Sequence, residues 1–324
     1  MASQDWSIPT ALRPNPGILA FDLKRALASV VLVRAEIPED AFTAGILGTE
    51  RIGNGVVIDK SGLVLTVGYL ITEAEAIWLT DIDGRAVPGH ALAFDFETGF
   101  GLIQALGRLD LPAIELGNSG EAEVGAGVVI AGHGGLKRAL GARILAKRLF
   151  AGYWEYLLEE AIFTAPSYPV WGGAGLIGED GRLLGIGSLR IEQMAGRGQP
   201  ADMNMVVPID LLKPILGDLR LHGRPNRPPR PWLGMYTVEQ QDKLVVAGLA
   251  DRGPAERAGA RLGDVVTAIA GQSVEALADL YRALWAAGPP GTSIEVTVAR
   301  EDGEHAIAVL TGDRASFLKR PRLH

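Results

Sequence analysis

The chain contains no cysteine. Disulfides, thiol nucleophiles and thiolate metal sites are therefore excluded. Aromatic residues are scarce at 6%, and charged residues make up 21% against 48% hydrophobic, so apolar side chains suffice for a core and global disorder is not expected. The net charge of −7 supplies no basic field for general nucleic-acid binding. No apolar run is long enough to span a bilayer. The first residues, Met1 to Trp6, lack the basic region, apolar stretch and small-residue cleavage site of a signal peptide. A cytoplasmic location is expected on these grounds, unless a leader has been removed from a periplasmic protein. No two histidines have metal-ligand spacing, so neither metal nor cofactor is expected. Gly132-His133-Gly134-Gly135 lacks the lysine and Ser/Thr that complete a phosphate-cradling loop.

What is present is glycine, 42 residues of it, between short runs of Val, Ile and Leu. That pattern predicts a mainly β protein with tight turns. Residues 1–27 read as a proline-bearing lead-in ending in a short helix over 17–27. Strands are expected at 29–34, 55–59, 63–66, 76–80, 85–88, 91–94 and 102–105, and a second set at 125–130, 141–149, 161–165, 175–177, 183–189 and 203–208, followed by a short helix over 209–217. Two barrels of about six strands, 28–111 and 112–220, are the economical reading. Residues 221–231 are rich in proline and arginine and predict a semi-rigid linker. A third unit spans 232–312, and 313–324 is expected to be a solvated basic tail. Glu155, Glu159 and Glu160, beside Trp154 and Tyr156, are expected on a solvated hairpin face.

Several segments, in order, resemble the HtrA-type proteases, which have a chymotrypsin-like fold. Gly53-Asn54-Gly55-Val56-Val57-Ile58-Asp59 is similar to the family's G-S-G-V/F-V-I, and Ser61-Gly62-Leu63-Val64-Leu65-Thr66 to its G-x-V/I-L-T. The family continues N-x-H-V with its general base; here Tyr69 stands at that histidine. A phenol with a pKa near ~10 is a poor base for a serine. Thr98-Gly99-Phe100-Gly101-Leu102-Ile103 fits the frame S/T-D-I/L-A-L-L, with Gly99 at the aspartate, although Asp95 and Glu97 lie nearby. Val124 to His133 resembles V-G-x-x-V-x-A-I-G-N. Pro169-Val170-Trp171-Gly172-Gly173-Ala174-Gly175-Leu176 falls where the family reads G-N-S-G-G-P/A-L, so Gly172 stands at the nucleophile, or Gly173 if the gap is placed differently. Trp171 and Tyr69 are expected either to plug the vacated cleft or to form a peptide platform.

Beyond the linker, Pro231-Trp232-Leu233-Gly234-Met235 resembles the carboxylate loop of PDZ domains. Gly253-Pro254-Ala255-Glu256-Arg257-Ala258-Gly259-Ala260, continuing through Gly263-Asp264-Val265-Val266 to Gly271, is similar to the PDZ pattern S-P-A-x-x-A-G-L-x-x-G-D-v-I-x-x-I-n-G. Residues 274–286 are amphipathic with helical spacing. The resemblance implies an α+β, partly open barrel that binds peptide carboxyl termini by strand addition. It assigns the carboxylate to the backbone of Leu233, Gly234 and Met235, the pairing strand to Met235–Val238, and the side-chain pocket to Leu277, Tyr281 and Leu284, for which plain core packing is the competing reading. A hydrophobic last ligand residue is expected.

The fold expected is thus a two-barrel chymotrypsin-like domain followed by a PDZ domain. Replacement of all three triad positions implies a chain that is not an enzyme, a pseudoprotease working through its PDZ groove as adaptor, regulator or chaperone-like scaffold. Two alternatives stay open. One is a working serine endopeptidase with a displaced nucleophile, Ser167 or Ser188, served by His90 or His133. The other is a structural subunit of a larger complex or a homotrimer, with contacts through Trp6 and Phe21, as the family resemblance implies. No nucleic-acid partner and no membrane span are expected.

Overall fold

The structure, a computed structural model, describes residues 6–195 and 199–319. Residues 1–5 of the lead-in and Arg320, Arg322 and His324 of the tail lie outside the described residues. The chain divides into two compact units: Met1–Arg148 with Glu160–Asn226 and Lys319–His324, and Leu149–Glu159 with Arg227–Leu318.

The first unit holds two closed barrels. Strands β1 (Val30–Glu36), β2 (Glu50–Asp59), β3 (Leu63–Val67), β4 (Ala76–Thr80), β5 (Ala86–Phe94) and β6 (Phe100–Ala105) close in the order β1-β2-β3-β6-β5-β4. Closure leaves no unpaired edge. Val31, Val33 and Ala35 are buried along β1 in period-2 alternation, whereas every residue of β3, Val64 and Leu65 included, is buried. The strands expected separately at 85–88 and 91–94 are one strand, β5. Its first half pairs with β4, Pro88 lying opposite Trp78, and its second half pairs with β6 through an irregularity between Ala91 and Ala93. Pro88 and Gly89 therefore mark a change of partner rather than a turn.

The second barrel comprises β7 (Gly127–Ala131), β8 (Ala139–Gly152), β9 (Tyr156–Ala165), β10 (Gly175–Ile177), β11 (Leu183–Ala195) and β12 (Gln199–Pro208), closed as β10-β11-β12-β9-β8-β7. Its core gathers Ile130, Leu140, Ile144, Ile162, Tyr168 and Leu176. Trp6 and Phe21, expected at an oligomer contact, are engaged within the chain. Trp6 meets the Tyr168 ring edge-on at 5.9 Å with Arg138 over its face, and Phe21 lies against Gly181. Helices α1 (Leu23–Ala28), capped by the Asp22 side chain, α2 (Ala44–Leu47) and α3 (Leu216–His222) complete this unit. The start of the expected linker, Leu221 and His222, is the last part of α3.

The second unit is a sheet of β13 (Met235–Gln240), β14 (Lys243–Leu249), β15 (Val265–Ile269), β17 (Ser293–Arg300) and β18 (Gly303–Leu310), with the short β16 (Gln272–Ser273) on β15. Helix α4 (Pro254–Arg257) and the amphipathic α5 (Leu277–Ala286) pack on it. The motif aspartate, Asp264, is buried and takes a two-pronged ion pair from Arg300 at 2.7 and 2.7 Å. That pair holds its carboxyl below the usual range. The tail is not wholly solvated. Arg314 donates to the Trp154 carbonyl at 3.2 Å and Phe317 sits 4.9 Å from the Trp232 ring.

Candidate functional site

Within the first unit, the three positions that the resemblance assigns to a triad come together. Tyr69 lies in a single 3-10 turn, Gly68–Leu70, directly after β3. Gly99 precedes β6 and accepts the Gly68 amide at 2.7 Å. Gly172 lies in the loop before β10, and a side-chain carbon built on it would sit 2.8 Å from the Tyr69 hydroxyl. Gly99 has φ 80°, a left-handed conformation that favours glycine.

The phenol and the two glycines are built into a closed crossing. Tyr69 Oη donates to the Ser188 carbonyl at 3.0 Å. Burial pushes the phenol's pKa well up, partly offset by hydrogen bonding with Trp171. Tyr69 and Trp171 thus contact each other where the cleft was expected. Asn54, in the middle of the G-N-G segment, ties the barrels together. Its backbone N–H donates to the Gly172 carbonyl at 2.8 Å, its side-chain amide donates to Val170 O at 2.8 Å, and its Oδ1 accepts from the His133 amide at 2.8 Å. Gly173, at φ 76°, lies so close that a Cβ there would stand 1.8 Å from Asn54 O. A side chain at 173 would have to break that crossing.

The other groups weighed from sequence are dispersed. Asp95 caps its own turn by accepting from Thr98 N and Oγ1. His133 Nε2 lies 2.8 Å from the Asp81 carbonyl, His90 is in β5 opposite Gln104, and His305 pairs with Asp302. Ser188 is buried in β11, and Ser167 is half-buried in the loop before β10. Gly99 and Gly172 carry no group that can attack or orient, and the Tyr69 phenol is held as a donor.

The second unit brings its own predicted residues together. Gly234 has φ 70°, which turns the backbone so that successive amides face one way. The N–H groups of Leu233, Gly234 and Met235 converge on a single carboxylate, that of Glu155, at 3.1, 2.7 and 3.1 Å. Leu277, Tyr281 and Leu284 are buried on α5 in the same apolar cluster as Leu233 and Met235. The Glu239 carboxylate, from β13, accepts the Leu277 amide at 2.8 Å and so links the strand to the start of the helix. Glu155 itself is a correction. Expected on a solvated face, it is 8% exposed, and burial pushes its carboxyl up to about 7 against the opposing pull of the three amides and Arg314. Its neighbour in sequence, Glu159, does behave as a surface group and pairs with Arg282.

Comparison with known proteins agrees with both units. Residues 53–186 match the trypsin-like peptidase domain and residues 231–311 the PDZ domain. The chain is of the HtrA type, a trypsin-like peptidase domain followed by a PDZ domain. Among similar proteins is a probable periplasmic serine endoprotease, DegP-like, of Halomonas elongata, 25% identical over 81% of this chain and 56% of its own length. A protein of the same description from Pseudomonas fulva is 24% identical over 94% of this chain and 66% of its own. The putative serine protease HhoA of Synechocystis is 25% identical over 96% and 85%. The chain thus spans between about half and two thirds of the first two relatives. The solved HtrA-type protease AlgW with tripeptide has the same fold, with a TM-score of 0.51 and 22% identity over 93% of this chain and 97% of that one. The expectation that the chain is not an enzyme does not stand, because these HtrA relatives are named serine endoproteases or proteases and point to a protease.

Proposed function

We propose that this HtrA-type chain recognises free carboxyl termini of peptides or unfolded proteins in the groove between β13 and α5. The observation that carries the reading is the convergence of the Leu233, Gly234 and Met235 amides on one carboxylate. Backbone donors preset around an anion bind a carboxylate and leave an amide or ester with one acceptor too few. Strand β13 is an edge of its sheet, so a ligand backbone can extend the sheet beside Met235–Val238. The buried Leu277, Tyr281 and Leu284 supply an apolar wall for the ligand's last side chain. The negative charge of the chain argues against nucleic acid as the partner.

The test is a fluorescence titration of the full chain with peptides carrying randomised last residues, free at the carboxyl end or amidated. Free ends are expected to bind at least about ten-fold tighter. Gly234→Ala, which puts a side chain in a left-handed position 3.0 Å from Trp232, is expected to erase the preference. Equal binding of both peptide forms would refute the reading.

A further inference from the structure

The carboxylate in the loop belongs to the chain itself. Glu155 sits at the tip of the hairpin formed by β8 and β9, and residues 149–159 of that hairpin belong to the same compact unit as the PDZ domain. The tip reproduces several contacts of a bound peptide end. Besides the three bonds to the Glu155 carboxylate, the Tyr153 carbonyl accepts from the Thr237 amide of β13 at 3.2 Å, one rung of an added strand. Leu157 is buried with Leu233, Met235, Leu277, Tyr281 and Leu284 in one cluster. The Tyr281 hydroxyl donates to the Gly152 carbonyl at 2.7 Å and accepts from the Glu155 amide at 3.3 Å. Arg314 also holds the tip, donating to the Trp154 carbonyl at 3.2 Å.

We infer that residues 153–157 are a built-in ligand of the groove, displaced by peptides that end in a free carboxylate and an aliphatic side chain. The inference rests on the reading of the groove given above. Two features make the tip replaceable rather than permanent. Glu155 has φ 58°, a left-handed backbone that a residue with a Cβ adopts at a cost. An extended ligand along β13 can form the ladder of bonds of which the tip supplies the single Tyr153 rung. Charge and shape together define the competitor. It must bring a carboxylate to three amides, and its last side chain must replace Leu157 rather than an aromatic or charged group.

The experiment compares the wild-type chain with Glu155→Ala, Glu155→Gln and Arg314→Gln, each confirmed folded by circular dichroism. The probe is a fluorescein-labelled peptide pool with random internal positions, ending in Leu, Ile or Val with a free carboxylate, beside its amidated twin. Glu155→Ala is expected to bind the free pool at least ten-fold tighter than wild type, with Glu155→Gln and Arg314→Gln showing smaller gains. If wild type and all folded variants bind the free pool equally, the built-in ligand is refuted, while a preference for free over amidated peptide keeps the groove reading intact. If no protein distinguishes free from amidated peptide, the groove reading itself falls. The wild type gives an independent readout that needs no variant to fold. Saturating free pool is expected to speed amide exchange at Gly152 to Glu155, and unchanged exchange in the bound state would overturn the displacement.

Discussion

Two loops of this molecule, 169–175 in the trypsin-like unit and 232–235 in the PDZ unit, have their polar backbone groups satisfied by the chain itself, in physically different ways. At the first, the contacts are short and mutual. Asn54 reaches the Val170 and Gly172 carbonyls, Tyr69 reaches Ser188, and Gly173 touches backbone. At the second, three amides are met by one ionisable side chain from a hairpin tip with a strained residue. A site filled by backbone and glycine has no removable occupant. A site filled by one carboxylate can exchange it for another. The difference suggests which of the two surfaces is able to respond to ligand.

Substitutions should separate the two regions sharply. Gly173→Ala is expected to have the largest effect, because its Cβ would fall on the Asn54 carbonyl. A loss of at least about 3 kcal/mol in urea unfolding is predicted, with no selective effect on peptide affinity. A loss under about 1 kcal/mol would show that the loop is as adaptable as the PDZ one.

Next in size is the pH response of the second unit. The Glu155 carboxyl is raised to about 7 by burial, above its ordinary value of 4.5, with Arg314 pulling the other way and Tyr236 and Tyr281 beside it. Because the folded value is the higher one, its stabilising contribution is complete below pH 4.5 and is lost as pH rises through about 7. Calorimetry of the full chain should show up to about 3 kcal/mol less stability at pH 8 than at pH 5 from this group. Glu155→Gln should flatten that slope, and an unchanged slope would remove Glu155 as its cause.

Smaller effects are expected where one contact is lost. Asn54→Ala, which strips the amide from two carbonyls and orphans the His133 N–H, should cost about 2 kcal/mol by thermal unfolding. Tyr69→Phe removes the bond to Ser188 O and the hydrogen bonding with Trp171, and should cost about 1 kcal/mol. If Tyr69→Phe proved the costlier of the two, the phenol rather than Asn54 would be the principal tie at the crossing.

The barrels and the PDZ sheet were legible because their signals are local. The strand Ala76–Thr80 and the turn into Val265–Ile269 follow from alternation and glycine placement within a few residues. Of the triad positions read from sequence, Tyr69 lies against Gly172, and Gly99 bonds to Gly68 beside Tyr69. What sequence could not show is the use made of Asn54 and Glu155. Each acts across a long separation, Asn54 on residues 116 and 118 positions away and Glu155 on residues 78 to 80 positions away. Glu155 also sits among aromatic and acidic neighbours that read as a wet hairpin face. The absence of a serine at 172 misled in another way. It led to an expectation about activity that the names of the relatives overturned.

The central claim, that Glu155 occupies the carboxylate loop, is tested most directly by amide exchange at Leu233, Gly234 and Met235 in the peptide-free full chain. Slow exchange in wild type, accelerated at all three amides in Glu155→Gln with the rest of the sheet unchanged, is the predicted result. Fast exchange in wild type, or identical protection in the variant, would contradict it.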